Sequence, residues 1–165
     1  MGAGKTTVGR LLAAKLGWAF EDSDHEIERR TGVRIPIVFE IEGEAGFRRR
    51  ESTILAERLQ AADGLILATG GGAVMRPENR ELMKTVAGLV AYIDVSPQLL
   101  YQRTKNDKNR PLLQVDNPLA KLEELYAIRD PLYREAASIV ISGDRHSAKQ
   151  IAHYLEKEVR KKWLA

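Results

Sequence analysis

The residues best suited to chemistry are spread along the chain. At its head, "MGAGKTTVG" carries Gly4-Lys5-Thr6, the close of a G-x-x-x-x-G-K-[ST] phosphate loop whose first glycine would lie before Met1. Such loops work because small residues let backbone N–H groups converge on phosphate oxygens at a helix N-terminus. Gly2, Ala3, Gly4, Lys5, Thr6 and Thr7 then form a nucleotide-phosphate set. Lys5 would reach the β- and γ-phosphates, and the Thr6 hydroxyl would bind Mg²⁺. The plainer alternative is a glycine-rich terminus that leads into a helix.

Further along, "EDSDHE" sets Asp22 and Asp24 on either side of Ser23. On an extended chain both carboxylates leave on the same side. One could hold magnesium through water while the other orients an acceptor hydroxyl. Equally, Ser23 and Glu26 spell an S-x-x-E capping box, and acids suit a first helical turn. "FRRRE" places Arg48 and Glu51 three apart, neighbours on a helix. A solvated charged face is the ordinary reading, but Phe47 belongs to the apolar stripe, which puts Arg48 at its edge, facing a cleft.

Gly70, Gly71 and Gly72 follow an apolar strand and open the backbone to a ligand, or simply make a tight turn. Arg110 sits in a polar loop, where it could add positive charge during phosphoryl transfer or be an ordinary exposed arginine. Arg129 precedes Pro131, where the chain is expected to turn. It reads as a bidentate carboxylate anchor or as a helix C-terminal cation. His25, His146 and His153 show no metal-ligand spacing.

These residues need elements to hold them. Val8, Leu11, Leu12 and Leu16 recur at helical spacing until Gly17 stops the helix. "WAFED" reads as a strand, and a helix runs from about Ser23 to Arg30. Pro36 opens a short helix ended by Gly43, and Phe47, Ile54, Leu55 and Leu59 stripe a longer one. "GLILAT" and "LVAYIDV" are apolar strands, separated by a helix over "RPENRELMKT". A helix from Pro97 to about Lys105 precedes the loop over residues 106–118. A helix from Leu119 to Ile128, the strand "SIVIS" and a helix from Ser147 to Trp163 finish the chain. Four apolar strands alternating with helices predict a parallel sheet covered on both faces, the α/β class. A fifth strand is expected before Met1. Ligands in such folds bind beyond the carboxyl ends of the strands, where the motifs fall.

The 165 residues suit one domain, here residues 1–165. A hydrophobic share of 44% is enough for a core, while apolar runs are too short to span a bilayer. No secretory h-region follows the first residues, and no cysteine is available for a disulfide, thiolate site or nucleophile. Together these predict a cytoplasmic protein with no membrane partner. The net charge of +3 and 6% aromatic content argue against nucleic-acid binding and fit a small anionic ligand.

In order and spacing, "MGAGKTTVG", "DSD", "VFEIEGEAGFRRRE", "TGGGAV", "RPENRELM", "NRPLL" and "RDPLYREAA" resemble the shikimate kinase family from residue 1 to about 140. Relatives such as adenylate and gluconate kinases share the fold and loop but lack this acidic and arginine set. The resemblance implies a P-loop NTPase-like three-layer fold with a five-stranded sheet of order 2-3-1-4-5, whose central first strand is missing from this chain. It implies ATP and shikimate as substrates, Mg²⁺, and a monomer.

By motif, Asp24 would bind the acceptor hydroxyl as general base, and Asp22 would join Thr6 around magnesium. Arg48 and Arg129 would clamp the shikimate carboxylate, with Gly71 and Gly72 behind the ring. Lys5 and Arg110 would neutralise the moving phosphoryl group, and Arg103 and Arg145 would contact adenine. Glu51 would hold Arg48. Residues 31–60 would form the shikimate-binding region and residues 104–118 a mobile lid. Two alternatives stay open: a kinase for another small polyol acid or nucleotide, and an inactive binding module.

Overall fold

The computed structural model describes residues 2–61, 64–107 and 111–163. Helix α1 (Lys5–Leu16) buries Val8, Gly9, Leu12 and Ala13 on one face. It ends where Gly17 turns left-handed, at φ 69°, and returns its N–H to the Ala13 carbonyl. Gly9 is needed for close packing, because a Cβ there would lie 2.5 Å from the Phe20 ring.

Strand β1 (Ala19–Asp22) runs straight into α2 (Ser23–Thr31). Helix α3 (Ile35–Ala61) is broken at Gly43, whose φ of 66° and ψ of 179° are not helical, so it holds the two helices expected on either side of that glycine. Strand β2 (Leu65–Ala68) leads through the glycines to a 3₁₀ turn (Ala73–Met75) and to α4 (Pro77–Val86). Next come β3 (Ala91–Asp94), α5 (Pro97–Thr104), a second 3₁₀ turn (Pro111–Leu113), α6 (Pro118–Ala136), β4 (Ile139–Ser142) and α7 (Ala148–Trp163). At the head of α7, Ser147 and Gln150 cap each other reciprocally.

Two local expectations are corrected. The chain does not turn at Pro131, since α6 runs through it to Ala136. A proline inside a helix forfeits one backbone hydrogen bond, but packing on both sides of it holds the helix together: Leu122 and Ala136 are buried, at 2% and 3% exposure. The Ser23–Glu26 capping box does not form either. Asp22 caps α2, its side chain accepting from Asp24 N. Glu26 is taken by Arg29, Arg30 and Arg58 instead.

The four expected strands are present, as two parallel pairs. β1 pairs with β2, Ala19 opposite Leu65. β3 pairs with β4, Ala91 opposite Ile139. Among the described residues no strand pairs with the facing edges of β2 and β3. A cavity of about 600 Å³ lies between them, lined by Leu65, Ile66 and Leu67 on one side and Val90, Ala91 and Ile93 on the other.

Helices cover both faces. Val8 and Leu12 of α1 pack with Ile151 and Leu155 of α7 over Ile93 and Ile141. On the other face Leu55, Met83 and Ala136 join α3, α4 and α6. A third cluster, Ile27, Val38, Phe47 and Ile54, fastens α2 to both halves of α3. No described helix is long and apolar enough to cross a membrane.

Candidate active site

The phosphate loop lies at the N-terminus of α1. Gly4 caps the helix at φ 84° and Gly2 is also left-handed, at φ 66°. Those angles suit glycine and curl the backbone back toward the first helical N–H groups, the geometry of an anion cradle. Arg103 Nη1 donates to the Gly2 carbonyl at 3.3 Å, which brings α5 against the loop. Arg145 is exposed in the β4–α7 turn. Hydrogen bonds from Ser96 hold the neighbouring Asp144 carboxyl below its usual range, and the charges of Arg103 and Arg145 add to that. Arg110 lies outside the described residues.

β1 delivers the acidic pair. Thr6 Oγ1 donates to Asp22 Oδ2 at 2.9 Å, and Asp22 Oδ1 accepts from Asp24 N at 3.0 Å. The extended-chain reading is corrected here: Asp24 stands in the first turn of α2, not on an extended strand. The hydroxyl and carboxylate of Thr6 and Asp22 form an all-oxygen pair of the kind a hard cation such as Mg²⁺ takes, with water and phosphate filling its shell. Among the described residues no group of three His, Asp or Glu side chains gathers for a metal.

Asp24 lies against the glycine turn. A Cβ on Gly70 would stand 2.9 Å from Asp24 Oδ1 and 2.3 Å from Glu51 Oε1, so both carboxylates press on that glycine. The Gly70 N–H donates to Ser23 Oγ at 3.0 Å, joining the carboxyl ends of β1 and β2. Of the two readings open for this stretch, the capping box fails because the partner of the Ser23 hydroxyl lies 47 residues away. The local signal, a small polar residue between two aspartates, fits either role.

Arg48 closes the other side. Its Nη1 donates to Glu51 at 2.7 Å and its Nη2 to Glu44 at 3.2 Å, while its guanidinium stacks 5.1 Å from the Phe47 ring. A Cβ on Gly72 would fall 2.2 Å from that guanidinium. Arg129 enters from α6 and is 6% exposed. Asp24 Oδ1, Glu51 Oε1 and Arg129 Nε are buried without a hydrogen-bond partner among the described residues. Polar atoms in that state are costly unless a ligand satisfies them.

The electrostatics follow the geometry. Burial pushes the Asp24 carboxyl up and Asp22 adds to the rise, against the pull of Lys5 and Arg48. Burial likewise pushes Glu51 up, although Arg48 and Arg129 oppose it. Burial works against the Arg48 charge, but Glu51 and Glu44 outweigh it and its pKa rises. A buried carboxyl near a phosphate cradle and two arginines can bind a polar anion and take a proton from it.

The comparisons agree with that chemistry. The family model described as shikimate kinase matches residues 1–160. A shikimate kinase of Thiobacillus denitrificans is 61% identical over 155 residues, covering 94% of this chain and 84% of that protein. One from Dechloromonas aromatica is 59% identical over 158 residues, covering 96% and 85%. Among solved structures, a shikimate kinase from Acinetobacter baumannii in complex with shikimate matches at TM-score 0.93 and 52% identity, covering 100% of this chain and 91% of that one. The shikimate kinase of Aquifex aeolicus matches at TM-score 0.82 and 31% identity. A family model matched over residues 1–160 and relatives about 60% identical along nearly the whole chain show that this chain belongs to the shikimate kinase family.

Proposed function

We propose that this protein transfers the γ-phosphoryl group of ATP to the 3-hydroxyl of shikimate, giving 3-phosphoshikimate and ADP on the route to chorismate and the aromatic amino acids. One observation carries the reading: Asp24 and Glu51 crowd Gly70, Arg129 lines a pocket with Gly70, Gly71 and Lys5, and each of the three has a buried polar atom without a hydrogen-bond partner among the described residues. Shikimate offers a carboxylate and three hydroxyls, the polar complement of that set.

Asp24 accepts the proton of the attacking hydroxyl. The hydroxyl oxygen forms the new P–O bond as the bond to the bridging oxygen of ADP breaks. Lys5 and Arg110 draw off charge from the phosphoryl oxygens, which a loose transition state needs more than covalent help. Arg48 and Arg129 hold the shikimate carboxylate, Gly71 and Gly72 back the ring, and Arg103 and Arg145 flank adenine. Gly2, Ala3, Gly4, Thr6 and Thr7 cradle the phosphates. Thr6 and Asp22 would hold Mg²⁺, which supplies charge screening to the phosphates. Residues 31–60 serve as the shikimate-binding region and residues 104–118 as a lid. The enzyme works in the cytoplasm, a reading that fits the absence of cysteine, and as a monomer, which the family resemblance implies.

The test is ATP-dependent phosphate transfer to shikimate, gluconate and nucleoside monophosphates in parallel. Shikimate is expected to lead in kcat/KM by about 10²-fold or more, because the buried polar groups stay unpaired with the wrong acceptor. A preference for gluconate or a nucleotide would assign a different kinase, and binding without turnover would assign a binding module.

The reading extends to the sheet. A fifth parallel strand between β2 and β3 gives the order 2-3-1-4-5, counting that strand first. Support comes from the two facing edges and the apolar cavity between them. Unpaired central edges expose backbone groups that want partners. A version extended by about ten upstream residues of apolar strand character is expected to melt at least about 5 °C higher, since each net kcal/mol is worth about 2–4 °C at this size. It should also bind ATP more tightly. Equal midpoints and equal ATP affinities would overturn the strand, which thermal melts and calorimetry can decide.

A further inference from the structure

The Tyr133 hydroxyl donates to the Gly71 carbonyl, 62 residues away in sequence. Arg129 stands one helical turn earlier on α6, close enough that its charge acts on the same hydroxyl. The hydroxyl therefore stands between two parts of the site that come from different elements, α6 and the turn after β2. We propose that Tyr133 is a positioning residue for the acceptor substrate, one hydroxyl fixing both the aim of Arg129 and the orientation of the Gly71–Gly72 peptide. The proposal rests on the shikimate reading above.

The geometry explains how so small a group does both. A trans peptide is planar, so the Gly71 carbonyl and the Gly72 N–H point in opposite directions. Holding the carbonyl back on Tyr133 turns the Gly72 N–H the other way, and Gly72 is the residue packed on the Arg48 guanidinium. Glycine has no side chain to restrain its peptide, so this turn needs an outside tether. On the other side stands Arg129, four residues earlier on the same helix, whose charge acts on the hydroxyl.

The tyrosine is itself well held. Its ring lies 4.8 Å from the Tyr92 ring, tilted by 30°. Tyr92 is tied to α6 through its hydroxyl, which donates to Asp130 at 3.0 Å. Asp130 and Asp94 also share Arg134, at 2.9 and 2.7 Å, so the C-terminal half of α6 is clamped to the end of β3. Burial pushes the Tyr133 hydroxyl up, though Arg129 pulls it down, so it stays a neutral donor across the physiological range.

Tyr133→Phe removes only the oxygen. It is expected to raise the shikimate Kd and KM about tenfold, the usual loss when a buried polar partner is deleted. ATP Kd and kcat should each change by less than about threefold, because neither the phosphate loop nor Asp24 contacts this hydroxyl. Tyr92→Phe keeps the ring stack but loses the bond to Asp130. It serves as the control for loosened packing and should leave the shikimate KM within about twofold.

An unchanged shikimate KM in Tyr133→Phe would overturn the proposal. So would parallel weakening of ATP and shikimate, or an equal effect from Tyr92→Phe. A wild-type chain that neither binds nor phosphorylates shikimate would instead sink the functional reading, and this proposal with it.

Discussion

Replacing Asp24 by Asn is expected to lower kcat by about 10²–10⁴-fold, the range for loss of a general base. Asn keeps the shape that packs against Gly70, so the site stays intact while the proton acceptor is gone. Thermal melting separates this from misfolding, through a sign that runs opposite to damage. Burial and Asp22 raise the Asp24 pKa in the folded protein, so its ionised form costs stability. That stability is present below the unfolded pKa and is lost as pH rises through the folded one. At neutral pH, Asp24→Asn should therefore melt higher than wild type.

Activity has the reverse dependence. The base works only when deprotonated, so kcat/KM should fall as the solution is acidified through a limb above the ordinary aspartate value of about 3.9. Asp22→Asn removes a neighbouring negative charge and should move that limb to lower pH. Near-wild-type turnover in Asp24→Asn would remove Asp24 from the base role.

The second large effect concerns the arginines. Arg129→Ala is expected to raise the shikimate KM about 10²-fold or more, as when one partner of a buried charged pair is truncated. Arg48→Ala should do likewise but behave differently in a melt. Arg48 donates to Glu51, which is 1% exposed, so its removal strands a buried carboxylate. Breaking such a pair typically costs about 3–5 kcal/mol. Arg129 leaves a milder deficit, because Glu51 keeps its ion pair with Arg48 when Arg129 is removed. Steady-state kinetics with calorimetric melts reads both effects. An unchanged shikimate KM in both variants would dismiss the carboxylate clamp.

What could be seen in the sequence depended on how local its cause was. Val8 and Leu12 repeat at the period of a helix, and Gly17 stops that helix by a rule that needs no tertiary context. Four strands stood out as short apolar runs, each emptying into a polar motif. The Arg48–Glu51 pair followed from helical spacing alone. The course of α6 did not, because Pro131 is a local stop signal that packing at Leu122 and Ala136 overrides. Ser23 and Tyr133 were missed for a related reason: their partners, Gly70 and Gly71, lie 47 and 62 residues away. No periodicity encodes such a bond; only the assembled sheet brings it about.

The crowding at the glycine turn bears on drug resistance. A competitive inhibitor can be shut out by enlarging a residue that lines its pocket. Here any side chain at Gly70 would have to push aside Asp24 and Glu51, and any at Gly72 would displace the Arg48 guanidinium. A substitution that kept an inhibitor out would thus dislodge the groups proposed to hold the acceptor. Compounds resting on this turn would leave the enzyme little room to mutate away from them.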